Sequence, residues 1–240
     1  MIKGLLFDIN GTVIDIYTSE SDEQIYRTLS NFLDYYRIKV APETLKEEYF
    51  SILRQQKKES SETFPEFDVV KLFSELIGKY STADSLPVAP ETAAIVFRAA
   101  GRYKLEPYCG VVSTLETLSK SYAMSAVSDG QSVWALPELH SAGLDRFFTH
   151  TIVSSDYGFR KPEPEMYSMA LQKMGLSPQE VIFVGNDMYR DVYGAHEMGM
   201  KTVFFRSNQG EQNFCGADAD YIIYNFPELL NAVEFLLNRS

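Results

Sequence analysis

The chain of 240 residues is poor in several things at once, and each shortage excludes something. Its two cysteines, Cys109 and Cys215, lie far apart and fit no metal-ligand spacing. A disulfide framework and a cysteine-rich zinc site are excluded, and a reducing, cytoplasmic setting is expected. The three histidines, His140, His150 and His196, are scattered and form neither a triad nor a ligand pattern. Basic residues are in deficit, with 22 Lys and Arg against 33 Asp and Glu and a formal charge of −11. Polyanions are held by clustered cations, so a general nucleic-acid or anionic-membrane binder is excluded. A small anionic substrate needs only one or two local cations and is not excluded. No apolar run approaches the ~20 residues of a membrane span, and the apolar start that runs to Phe7 is too short for a signal-peptide core. Internal repeats and low-complexity segments are also lacking.

What is present is a chain long enough, at 45% hydrophobic, to bury a sizeable core. Residues 2–7 read as a buried strand that stops at Asp8-Ile9-Asn10-Gly11-Thr12, where Asn-Gly signals a turn. From about 19 to 105 the apolar spacing is helical. Ile25, Leu29, Phe32, Leu33 and Tyr36 share one face; Leu45, Tyr49, Ile52 and Leu53 share a second; Val69, Leu72, Phe73, Leu76, Ile77 and Tyr80 share a third. A further helix is expected over 91–103. After residue 110 short strands (123–127, 151–153, 181–185, 202–205, 221–224) alternate with helices (111–120, 131–142, 163–174, 189–198, 227–237). That alternation predicts an α/β fold, a Rossmann-like, mainly parallel sheet covered on both faces. The first strand must join this later sheet. Residues 1–16 and 106–240 are therefore expected to form the core domain, with 17–105 inserted as a helical cap. Trp134 and the many Tyr and Phe residues read as packing. Arg54, Arg98, Arg160 and the Lys57-Lys58 pair read as exposed charge, although any of them can reach an anionic substrate tail.

Ligands of parallel α/β sheets sit beyond the carboxyl ends of the strands. Asp8 follows the first strand, Ser128, Asp129 and Gly130 follow 123–127, and Asn186, Asp187 and Asp191 follow 181–185. Lys161 lies in the loop between the last two groups. Several carboxylates, a hydroxyl and a lysine thus converge on one sheet edge. This set suits phosphoryl transfer through a carboxylate nucleophile. A hard divalent cation, Mg²⁺, would offset the mutual repulsion of the carboxylates and an anionic substrate.

In order along the chain, Asp8-Ile9-Asn10-Gly11-Thr12, Ser128, Lys161-Pro162-Glu163-Pro164 and Gly185-Asn186-Asp187-Met188-Tyr189-Arg190-Asp191 resemble the four motifs of the haloacid dehalogenase superfamily. The 17–105 insertion resembles the cap of the subclass that places it after the first motif. The resemblance implies Asp8 as nucleophile and Lys161 as the cation steadying it. It implies phosphoryl binding by Thr12, Ser128 and Lys161 and by the backbone of Asp129 and Gly130. Mg²⁺ would be held by Asp8, the Asn10 backbone carbonyl, Asp187 as direct ligand and Asp191 in an outer shell. The implied activity is a Mg²⁺-dependent phosphatase acting on a small phosphorylated metabolite.

Two positions depart from that pattern. Asn10 stands where the family's phosphatases have an aspartate that protonates the leaving group and activates water. An amide cannot exchange that proton, and such help is typically worth roughly 10²–10⁴-fold. Four explanations stay open: another group, with Asp15 nearest in sequence, supplies the proton; the enzyme is slow or restricted to good leaving groups; the reaction is dehalogenation; or Asn10 is an engineered change. Asn186 stands where an aspartate is common, and its amide oxygen is the alternative to Asp187 at the metal. The rival readings are a metal-independent 2-haloacid dehalogenase and a non-catalytic member that binds a phosphorylated ligand or a protein partner.

Overall fold

The computed structural model describes residues 1–238. Six strands, β1 (Gly4–Phe7), β4 (Ala123–Ser128), β5 (Thr151–Val153), β6 (Val181–Gly185), β7 (Lys201–Phe205) and β8 (Tyr221–Ile223), form one sheet in the order β5-β4-β1-β6-β7-β8. Every pairing in it is parallel. Strand side chains alternate in direction. Leu5, Phe7, Ile182 and Val184 therefore enter one core cluster, with α5 (Val111–Leu118) and α9 (Leu229–Leu237). Leu6, Val181 and Phe183 enter the opposite cluster, with α7 (Pro164–Met174). Both faces are covered, as the continuous apolar runs require.

The register brings the motifs together. Phe7 pairs with Ala126 on one side and Val184 on the other. Asp8, Ser128 and Asn186 consequently emerge at the same edge. The chain moves outward from β1 through β4 to β5, then returns to the other side of β1 with β6. The connection reverses at β1, and such a switch point opens a crevice.

Between β1 and β4 lie four helices, α1 (Glu23–Asp34), α2 (Pro42–Glu59), α3 (Val69–Tyr80) and α4 (Pro90–Gly101). Asp22 and Asp68 cap α1 and α3 by accepting from the amides of Gln24 and Lys71 (2.8 and 3.0 Å). Pro42 and Pro90 occupy the first turns of α2 and α4, where no intrahelical donor is lost. The expected apolar faces meet in a core of their own, centred on Tyr26, Tyr49, Phe73 and Phe97. Trp134, on α6 (Ser132–Ser141), inserts into that core and donates to the Ala94 carbonyl at 2.8 Å.

Three features differ from the sequence reading. The insertion begins and ends in an antiparallel pair, β2 (Ile14–Thr18) with β3 (Arg102–Pro107), where helix or loop was expected. The expected boundaries at 16/17 and 105/106 fall inside this ladder. The helix expected over 91–103 ends at Gly101. The helix expected over 189–198 is a π-helical turn (Met188–Tyr193) leading into α8 (Gly194–Glu197). No helix among the described residues is long and apolar enough to cross a membrane.

Candidate active site

Asp8 leaves β1 and is 6% exposed. Its Oδ1 accepts from Lys161 Nζ at 2.7 Å and its Oδ2 from Thr12 Oγ1 at 2.9 Å. The Lys161 ammonium also donates to Asp191 Oδ1 (2.7 Å) and to the Val127 carbonyl (3.2 Å), which uses all three of its protons. Burial alone would lower the Lys161 pKa. The Asp191 and Asp8 carboxylates outweigh it and hold the lysine charged. Burial pushes Asp191 up to about 6, against the opposing pull of Lys161. One buried cation thus serves two buried carboxylates, leaving the trio with a net negative charge.

Ser128, the last residue of β4, is fully buried, and its Oγ has no hydrogen-bond partner among the described residues. Leaving a buried hydroxyl unpaired costs about 1–3 kcal/mol. A donor in this state beside Asp8 is suited to an anion. Asp129 accepts from the Lys161 amide at 2.9 Å, which fixes the loop that carries the lysine.

The segment after β6 sorts its two acids differently from the sequence expectation. Asp187 was read as the direct metal ligand, but its carboxylate is turned to Arg190. Oδ2 accepts from Arg190 Nε and Nη2 (3.0 and 2.8 Å) and from the Glu211 amide (3.0 Å). Oδ1 accepts from the amides of Tyr189 and Arg190 (3.1 and 2.8 Å). Burial would raise the Asp187 pKa, yet the Arg190 guanidinium and these amides bring it below the usual carboxylate value. Arg190 also reaches Asp129 at 3.2 Å, tying the loops after β4 and β6 together. Asn186, the alternative, points inward. Its Oδ1 lies 2.9 Å from Thr12 Oγ1, the hydroxyl that also contacts Asp8. One hydroxyl proton cannot serve both oxygens, so one of them is left as an open acceptor. Asp191 Oδ2 is occupied by the amides of Asn186 and Asp187, both at 3.0 Å. Among the described residues no group of three or more His, Cys, Asp and Glu is arranged to hold a metal ion.

A cavity of about 590 Å³ opens over this edge. Asn10, Asp129 and Gly130 line it from the core, and Glu66, Phe67 and Arg98 from the insertion. Arg98, read as exposed charge, is tied to Glu138 by two bonds (2.7 and 3.1 Å). Asp15, the nearest candidate to replace the missing acid, is held by Lys104 Nζ at 2.5 Å. Two residues escaped the sequence reading. The pairing of Arg190 was legible in its position three residues after Asp187. Glu66 sits in a loop with no motif and had no signal.

Known proteins match this arrangement along most of the chain. Residues 5–205 match the haloacid dehalogenase-like hydrolase family. A glyceraldehyde 3-phosphate phosphatase of Methanopyrus kandleri is 30% identical over 86% of this chain and 84% of its own. A protein of the same name from Pyrococcus furiosus is 29% identical over 97% of this chain and 93% of its own. Among solved structures, a 2-haloacid dehalogenase from Pseudomonas syringae pv. Tomato DC3000 superposes with a TM-score of 0.70 at 20% identity, over 98% of this chain and all of its own. Its likeness is one of fold. The chain belongs to the haloacid dehalogenase-like hydrolase family.

Proposed function

We propose that this hydrolase is a Mg²⁺-dependent phosphatase that cleaves a small phosphorylated metabolite through a phospho-aspartate on Asp8. The observation that carries the reading is the unpartnered Ser128 hydroxyl beside the Asp8–Lys161 pair. The relatives named as phosphatases support phosphate rather than halide as the group released. Residues 1–16 and 106–240 act as the core and 17–105 as a cap over the cavity.

The residues present fit a hard cation in kind, since Asp8 Oδ2 and Asn186 Oδ1 flank the same Thr12 hydroxyl. Asp8, the Asn186 amide oxygen and the Asn10 carbonyl are the groups that would hold it. When bound, the ion supplies charge neutralisation for Asp8 and the phosphoryl oxygens. Lys161 holds and aims the Asp8 carboxylate. The Ser128 hydroxyl and the amides of Asp129 and Gly130 bind the phosphoryl group. Asp191 works at one remove, by placing Lys161 and the 186–187 amides. The size of the cavity, about 590 Å³, limits the alcohol to a small molecule.

The test is a panel of small phosphomonoesters with Mg²⁺ and with EDTA, run beside 2-haloacids. Phosphate release that EDTA abolishes is expected, together with a beryllium fluoride adduct on Asp8. Halide release without metal, and no phosphate release, would replace this reading with the dehalogenase. The neutral residues Asn10 and Asn186 are what favour that second reading. Binding of phosphorylated compounds without release of either product would identify a non-catalytic member.

A further inference from the structure

Asn10 cannot supply the proton that an alkoxide leaving group needs, and Asp15, the nearest candidate in sequence, is engaged by Lys104. The cavity wall carries another carboxyl in a better position. Glu66 lies in the loop between α2 and α3 and faces the same cavity as Asn10, Asp129 and Gly130. Its loop is fastened to the core beside the loop that carries Lys161. Pro65 bridges Phe159, the Glu66 amide donates to the Gly158 carbonyl (2.9 Å), and the Arg160 amide donates to the Phe64 carbonyl (3.0 Å). The Gln131 side chain secures the next turn by donating to the Phe67 carbonyl (2.7 Å) and accepting from the Val69 amide (2.9 Å).

The carboxyl itself is wired to the phosphate-binding loop. Ser154 Oγ donates to Glu66 Oε2 (2.9 Å), and the same Oγ accepts from the Gly130 amide (2.8 Å). The second oxygen, Oε1, accepts from the Phe67 amide at 3.1 Å.

We propose that Glu66, reaching into the active-site cavity from the helical insertion, is the general acid and base that Asn10 cannot be. The proposal rests on the phosphatase reading above. In the first step an Asp8 oxygen forms a bond to phosphorus as the bond from phosphorus to the leaving oxygen breaks. The Glu66 carboxyl proton goes to that oxygen, giving the free alcohol, the aspartyl phosphate and a Glu66 carboxylate. In the second step Glu66 takes a proton from water as the water oxygen attacks phosphorus. The bond to Asp8 breaks, and phosphate, the Asp8 carboxylate and protonated Glu66 are restored.

The surroundings suit that cycle. Burial raises the Glu66 pKa above the usual carboxylate value, and Asp129 adds to the rise. The Ser154 hydroxyl bond and the charges of Lys57 and Arg160 oppose it. The protonated form therefore persists to higher pH than in an ordinary glutamate.

Glu66→Gln tests this and preserves the side-chain shape and one of its two accepted bonds. Turnover of an alkyl phosphomonoester should fall about 100-fold. The first-turnover burst of nitrophenolate from 4-nitrophenyl phosphate, whose leaving group needs little protonation, should slow less than about fivefold, while its steady rate, which passes through the Glu66-dependent second step, falls with that of the alkyl ester. The high-pH descent of the alkyl-ester profile should vanish. In the Asn10→Asp/Glu66→Gln double variant, alkyl-ester turnover should recover by about tenfold or more. Equal slowing of the first turnover on both esters, no loss, or no recovery with Asn10→Asp would each overturn the assignment. Phosphate release from the nitrophenyl ester by the wild type checks the phosphatase reading separately, since it is expected whether or not Glu66 is the acid and base.

Discussion

Asn186 and Asp187 are neighbours with opposite fates. Asp187 spends its charge on Arg190, while Asn186 presents an uncharged oxygen to the Asp8 side of the centre. Affinity for a hard cation follows the charge of its ligands. Asn186→Asp should therefore tighten Mn²⁺ binding, read by electron paramagnetic resonance titration, by about tenfold or more. Asp187→Asn should leave it within about twofold, because the carboxylate it removes is already neutralised by Arg190. Abolition of Mn²⁺ binding by Asp187→Asn would reinstate Asp187 as the ligand. This readout needs no turnover, so it separates metal binding from catalysis.

At the level of elements, the end of β6 is a tight joint in the centre. A Cβ on Gly185 would lie 2.3 Å from Asp191 Cβ and 2.4 Å from its Oδ2. Asp191 cannot give way without releasing Lys161 or the amides of Asn186 and Asp187. Gly185→Ala should cost about 1–3 kcal/mol in urea unfolding and depress turnover. Gly78, inside α3 with no atom within 4 Å of the added Cβ, provides the contrast. Gly78→Ala should raise stability by about 0.5–1 kcal/mol and leave turnover unchanged. If Gly185→Ala behaves like Gly78→Ala, the Asp191 brace has no mechanical role.

The same elements mark what was legible in advance. The six parallel strands stood out because each is a short apolar run, buried on both faces except at the edge strand β8, where Ile222 is exposed. The four inserted helices stood out because their apolar spacing is local. The β2–β3 ladder was not legible. Arg102–Pro107 is a charged, half-exposed stretch whose partner, Ile14–Thr18, is remote in sequence. The π-helical turn after β6 was hidden because the Asp187 and Asp191 side chains, not the local propensity, decide where those amides donate. Chain order alone brought Asp8, Lys161, Ser128 and Asp191 to one edge. The choice between Asn186 and Asp187, and the arrival of Glu66, depended on loop conformations that no periodicity encodes.

On the scale of the whole molecule, the charge deficit acts on substrate capture. The protein carries a formal −11, and the cavity wall repeats the imbalance. Asp15, Glu20, Asp129 and Glu138 line it against Arg98 and Lys104; those two cations are already paired with Glu138 and Asp15, and Asp129 with Arg190. On the phosphatase reading, a phosphomonoester dianion would be drawn in at close range by Lys161, Ser128 and a bound cation, but repelled at longer range. Salt screens the long-range part first, over a distance of about 10 Å at 0.1 M. For most enzymes of anionic substrates, salt weakens capture by screening an attractive field. Here the sign reverses. With Mg²⁺ held saturating, KM for an alkyl phosphomonoester should fall about two- to threefold as KCl rises from about 10 to about 200 mM. A phosphomonoester whose alcohol carries a protonated amine has a smaller net charge, and its KM should respond less. A KM that climbs with salt for the dianion would mean that the local cations, and not the surplus of carboxylates, govern the field at the cavity mouth.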